Sequence, residues 1–134
     1  MRLSGCKRQR WRTRLPLCFT KYMGAYHRIL AAIDLTEQSR AVSAQACELA
    51  RAADAVVKLL HVVEFVPIEP MSDSLVPVVQ IDDQMISRAR DQIGALGREL
   101  GLPPDAGCVE TGNVKSEILR YAREEHSDLI VIGC

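Results

Sequence analysis

Hydrophobic and polar positions divide this chain into two kinds of segment. Short, nearly unbroken apolar runs occur at Ile29 to Ile33, at Val56 to Val63 with only Lys58 and His61 interrupting, and at Leu129 to Ile132. Such runs, without period-two alternation, suit strands covered on both faces. Other stretches are apolar at helical spacing. Val42, Ala46, Leu49 and Ala53 follow i, i+4, i+7, i+11 and predict an amphipathic helix from about Thr36 to Ala53, with those side chains inward. Ile86, Ala89, Ile93, Leu96 and Leu100 step by 3, 4, 3 and 4, the cleanest helix, with Gly101 as its C′ residue and Pro103-Pro104 barring continuation. Asp105 to Glu110 reads as a short edge strand. A third helix follows the Thr111-Gly112-Asn113 turn, with Asn113 as N-cap, Glu117 in the favourable first turn, and Val114, Ile118, Leu119 and Ala122 inward. Strands alternating with helices predict a parallel α/β sheet with right-handed crossovers.

The polar punctuation sharpens this picture. Asp34 directly follows the first apolar run, and an unpaired carboxylate is too costly to bury, so the chain is expected to surface there. Thr36 is the expected N-cap of the helix beyond. Glu64 to Ile81 is a long connection with Pro67, Pro70 and Pro77 and no clear period. Connections of that length are usually functional or mobile, and Phe65 and Met71 within it read as lid or packing residues. Asp128 to Gly133 reads as a strand buried on both faces. A chain stopping at Cys134 would leave it uncovered on one side, so a fragment missing its closing helix and strand, about 25–30 residues, is expected. An exposed Leu129–Ile132 edge and poor solubility follow from that expectation.

Composition narrows the class. At 134 residues the chain is one domain by length, and 48% hydrophobic with 25% charged content is ordinary for a globular protein. Aromatics make up only 4%, so Val, Ile, Leu and Ala must form the core. The formal charge of zero hides an asymmetry. Residues 1–22 hold seven Lys/Arg (Arg2, Lys7, Arg8, Arg10, Arg12, Arg14, Lys21) and no acid, leaving ten basic against seventeen acidic residues in 23–134, a balance of −7. An acidic domain is a poor partner for nucleic acid or membrane surfaces, and neither is expected here. The basic leader, which includes Trp11, reads as a disordered extension or as translation begun upstream of a natural start at Met23. Cys6, Cys18, Cys47, Cys108 and Cys134 form no CxxC pair and no Cys/His cluster with metal spacing, so incidental thiols in a reducing compartment and no metal site are expected. No apolar run reaches 18 residues, so no transmembrane helix is expected.

If the strand order is 3-2-1-4, ligands would bind beyond the carboxyl ends of the strands, between those ending at Asp34 and Gly133. The candidates are Asp34, the backbone after Val62, the Gly112-Asn113 helix start and Gly133. Asp34 could hydrogen-bond a ribose hydroxyl, hold a metal, or cap the first helix. Gly112 could admit a phosphate to a helix N-terminus or simply make a turn. His61 reads as a packed histidine, and His27 and His126 as surface residues. Ser39, Ser43 and Ser116 sit in no GxSxG elbow, and neither GxxxxGK[ST] nor GxGxxG occurs, so nucleophilic catalysis, a P-loop and a dinucleotide fingerprint are all unsupported. A phosphoacceptor receiver domain would need adjacent acids after the first strand, where Asp34 stands alone.

Four segments together resemble the universal stress protein family: His27 to Asp34, Leu59-Leu60-His61-Val62, Thr111-Gly112-Asn113 through Leu119, and Asp128 to Gly133, in that family's order and spacing across Met23 to Cys134. The resemblance implies a flavodoxin/Rossmann-like three-layer α/β/α fold on a sheet of order 3-2-1-4-5, of which this chain keeps four strands. It implies a cytoplasmic homodimer in stress resistance, no enzyme beyond a slow ATPase, and ATP or AMP as ligand, with Mg if ATP. In nucleotide-binding members Asp34 would match the ribose contact. Ala32, with Ile33 beside it, and Val62 would match adenine-lining positions, and Gly133 the first glycine of G-x2-G-x9-G-[ST]. The rest of that motif lies beyond residue 134, so weak ATP binding is expected. A non-nucleotide dimerising regulator is the other class the resemblance allows.

Overall fold

The computed structural model describes residues 26–64 and 83–133. Strands β1 (Arg28–Ala32), β2 (Val56–Val63), β3 (Gly107–Thr111) and β4 (Leu129–Ile132) alternate with helices α1 (Gln38–Ala53), α2 (Asp83–Glu99) and α3 (Val114–Glu124). The sheet order is β3-β2-β1-β4 and every neighbouring pair is parallel, as the alternation predicts. Residues 1–22, Phe65, Met71 and Cys134 lie outside the described residues.

Strand pleating sorts the apolar residues into two layers. Ile29 and Ala31 of β1, Ile33 just beyond its end, and Val57 and Leu59 of β2 meet Ala46, Cys47 and Ala50 of α1 and Ile93 of α2. Leu30, Leu60 and Val62 point the other way, onto Ile118, Tyr121 and Ala122 of α3. The result is helix, sheet, helix. Ile29, Leu30, Leu59 and Leu60 are at most 1% exposed, and full burial of such side chains stabilises by about 1.5–3 kcal/mol each. Lys58, mid-strand in β2, tolerates partial burial because its Nζ donates to the Asp105 carbonyl at 2.7 Å and pairs with that carboxylate at 3.3 Å.

Local signals hold at several ends. The Asn113 side chain accepts from the Ser116 N–H at 3.1 Å, so it is the N-cap of α3. Gly101 has φ +69°, and Leu102 N–H donates back to Gly97 O at 2.8 Å, which closes the last turn of α2. Asp128 fastens β4 to β1: its carboxylate accepts the backbone N–H groups of His27 at 2.6 Å and Arg28 at 3.2 Å. Those bonds, His27 first, hold its carboxyl below the usual range.

Other expectations are corrected. The face that α1 buries is Ser39, Ser43, Ala46, Cys47, Ala50 and Ala53, while Leu49 is 43% exposed and Val42 half-buried. At about 100° per residue Leu49 lies roughly 95° from the centre of that face, because the smallest residues let the helix lie closest to the sheet. Thr36 is not the N-cap: Glu37 occupies that position with no side-chain bond, and Thr36 instead donates to Asp34. In α3, Tyr121 and Ala122 are buried, whereas Leu119 is 39% exposed on the flank and Val114, at 37%, overhangs the end of the sheet. β4 is not buried on both faces. It is half-buried, with Ile132 61% exposed, because it is an edge strand whose only described partner is β1.

Candidate functional site

In an open parallel sheet the chain leaves successive strands in opposite directions at one point, and a crevice opens beyond their carboxyl ends. Here that point lies between β1 and β4. A cleft of about 200 Å³ sits there, with Ala32, Ile33, Asp34, Leu60, His61 and Val62 from the central strands. Gln38, Ser39 and Val42 of α1 close one side, Val114 and Ile118 of α3 another, and Ile132 and Gly133 the end of β4. A second cleft of about 250 Å³ lies at the opposite end of the sheet, lined by residues such as Ala50, Arg51, Val57 and Leu102. The carboxyl-end cleft is the better ligand site despite its smaller size, because the first turns of α1 and α3 face it with their positive dipole ends.

Asp34 is the one acid in this lining. Its Oδ1 accepts three hydrogen bonds: from the Thr36 hydroxyl at 2.7 Å, the Thr36 backbone N–H at 3.0 Å and the buried Ser39 hydroxyl at 2.8 Å. These donors, with the Thr36 hydroxyl first, lower its pKa to about 2, against a small opposing effect of desolvation. The carboxylate is therefore ionised at any physiological pH, and its Oδ2 takes none of those three bonds. The turn it stabilises is strained. Leu35 has φ +62°, a left-handed conformation that bulky side chains rarely adopt.

The other wall is apolar. Ala32 and Val62 flank the floor, with Ile118, Val114 and Ile132 around them. Gly133 is there for proximity: a Cβ on it would lie 2.8 Å from Val42 Cγ2, so the chain leaving β4 runs tight against α1. Of the residues singled out in the sequence, Ala32, Ile33, Asp34, Val62 and Gly133 converge on this cleft. Gly112 and Asn113 do not line it. Gly112 is buried, with the Glu117 side chain 3.0 Å from where its Cβ would be, and the Asn113 amide is spent on the cap of α3. Gln38, Ser39, Val42 and His61, with the apolar Leu60, Val114, Ile118 and Ile132, also line the cleft and were not among the candidates. Only spacing from Asp34 along the helix could have found the first two, and nothing local reports His61, which reaches the cleft through strand pairing.

A parallel α/β domain with an acid-bearing cleft at its switch point defines a broad class of small-ligand-binding domains. Comparison with known proteins narrows it: the profile of the Universal stress protein family matches residues 25–134. The chain is 31% identical over 109 residues to Universal stress protein A homolog 1 of Coxiella burnetii, covering 81% of this chain and 76% of that one. The crystal structure of a protein from the universal stress protein family of Burkholderia pseudomallei superposes with TM-score 0.59 at 27% identity, covering 83% of each chain. Universal stress protein UspA from Lactobacillus plantarum shares the fold, with TM-score 0.61 at 24% identity over 81% of this chain and 77% of that one. The chain belongs to the universal stress protein family.

Among the described residues no group of three His, Cys, Asp or Glu could hold a metal ion, and no helix is long and apolar enough to cross a membrane. Cys47 and Cys108 are in no disulfide among the described residues, and burial raises the pKa of Cys47.

Proposed function

We propose that this protein is a stress-response module of the cytoplasm that binds an adenine nucleoside or nucleotide in the carboxyl-end cleft and acts by binding rather than turnover. The observation that carries the reading is the pairing of Asp34, ionised and with Oδ2 unengaged by the turn, with an apolar wall of Ala32, Val62, Ile118 and Ile132 in one cleft. A carboxylate oxygen accepts ribose hydroxyl protons, and an apolar slot takes a flat ring. A carboxyl with a pKa of about 2 is a feeble general base near neutral pH, which argues against efficient hydrolysis.

The lining contains no Lys or Arg among the described residues, so a phosphate would gain only the modest attraction of the two helix N-termini. Calorimetry with adenosine, 2′-deoxyadenosine, AMP and ATP tests this. Adenosine is expected to bind, 2′-deoxyadenosine about tenfold more weakly, and AMP and ATP within about tenfold of adenosine. Equal affinity for the deoxy compound, or no change on Asp34→Asn, would refute the assigned role of Asp34.

A further inference from the structure

His61 is the titratable group in this cleft that the proposed function leaves unused. It sits in β2, half-buried, and its Nδ1 is 2.9 Å from the backbone carbonyl oxygen of Ile33. A carbonyl can only accept, so Nδ1 carries the proton and the neutral ring is the Nδ1–H tautomer. Ile33 is also held from the other side of the peptide, since its N–H donates to Leu60 O at 2.9 Å. Residue 33 is the last before the turn that carries Asp34 and the left-handed Leu35. That turn is thus clamped upstream by His61 and Leu60, and downstream by the Thr36 and Ser39 bonds to Asp34. Strained backbone persists only where its surroundings over-determine it. A side chain reaching across two strands to the carbonyl preceding the strain is such a constraint.

We propose that His61 is a positioning residue for the ligand-binding carboxylate: its fixed Nδ1–H holds the Ile33 carbonyl and so sets the turn that presents Asp34 to the cleft. The bond survives protonation of the ring, because Nδ1 is a donor in both states. Nε2, with no partner in the turn, is the nitrogen left to face a ligand.

Two near-isosteres separate the nitrogens. An asparagine amide reaches the place of Nδ1, and a glutamine amide that of Nε2. The experiment uses the whole chain with His61→Asn, His61→Gln and His61→Ala, read by NMR titration of the Asp34 carboxyl, by ring ¹⁵N shifts of the wild type, and by adenosine calorimetry. The expected results are an Nδ1–H tautomer, an Asp34 carboxyl near 2 in wild type and His61→Asn, and one moving toward 3.8 in His61→Gln and His61→Ala. Adenosine affinity is expected to fall about tenfold in those last two and stay within about threefold in His61→Asn. An Nε2–H tautomer overturns the proposal, as does an Asp34 titration in His61→Gln or His61→Ala that matches wild type. If His61→Ala does not fold, the wild-type tautomer and the Asn/Gln contrast still decide. The affinity measurement rests on the nucleoside reading, whereas the Asp34 titration does not. Absent adenosine binding with the expected titrations refutes the nucleoside reading alone. Intact binding in every variant refutes the positioning role alone.

Discussion

Asp34 shows how much one turn can do to one carboxyl. Three donors on Oδ1 bring its pKa from 3.8 to about 2. The unfolded chain binds that proton more readily than the folded one. The stabilising contribution of the ionised group is therefore complete above about pH 5 and is lost as pH falls toward 2. Urea midpoints of wild type and Asp34→Asn, compared across pH, should differ by a constant amount above about pH 5 and converge on acidification through that window. A gap that widens at low pH would contradict the hydrogen-bonded turn. The same residue lines the cleft and braces the turn before α1, and its second oxygen takes none of the turn's three bonds. Asp34 does not cap α1 through a backbone N–H of the helix: it braces the turn before it, through Thr36, and reaches the first turn only through the Ser39 hydroxyl.

At the scale of elements, α1 is the informative one. Its buried face is nearly all small residues, and one of them is an anomaly: Ser43 is 0% exposed and its Oγ has no hydrogen-bond partner. A buried hydroxyl without a partner costs about 1–3 kcal/mol of desolvation, and alanine is the better helix former. Ser43→Ala should therefore raise stability by about 0.5–1 kcal/mol, read as a higher urea midpoint at unchanged m-value. A lower midpoint would mean that the hydroxyl is bonded in solution. The opposite case is α3, where Arg120 binds Glu110, Glu117 and Glu124 at 3.1, 2.6 and 2.9 Å. That network is partly exposed and ties the helix to β3 through Glu110. Exposed pairs of this kind contribute little apiece.

For the whole molecule, the described sheet has two edge strands, β3 paired only with β2 and β4 paired only with β1. β3 packs one face against α2, whereas β4 carries Ile132 at 61% exposure beside an outer edge that meets no described strand. An apolar strand with an open edge is a template for pairing with another chain. The 134-residue chain is expected to self-associate with rising concentration in sedimentation velocity, and Ile132→Lys to weaken that association about tenfold or more. Unchanged association in the lysine variant would place the contact elsewhere.

The sequence by itself determined what depends on neighbours along the chain. Apolar runs with β-branched residues made β2 and β4 legible, the 3.6-residue period made α2 legible, and Asn113 and Gly101 announced their own ends of helices through side-chain and backbone chemistry within a few residues. Strand alternation with helices set the class of fold, and the position of Asp34 after a buried run marked the carboxyl edge where the cleft lies. The tertiary structure alone decided what depends on residues far apart. It turned α1 so that Ser43 and Cys47, not Leu49, meet the sheet, since close approach favours small side chains over large apolar ones. It made β4 an edge, drew Gly133 against Val42, and left Gly112 outside the cleft. It also brought His61 to the carbonyl of Ile33, 28 residues earlier, through the register of two paired strands, which no local pattern encodes.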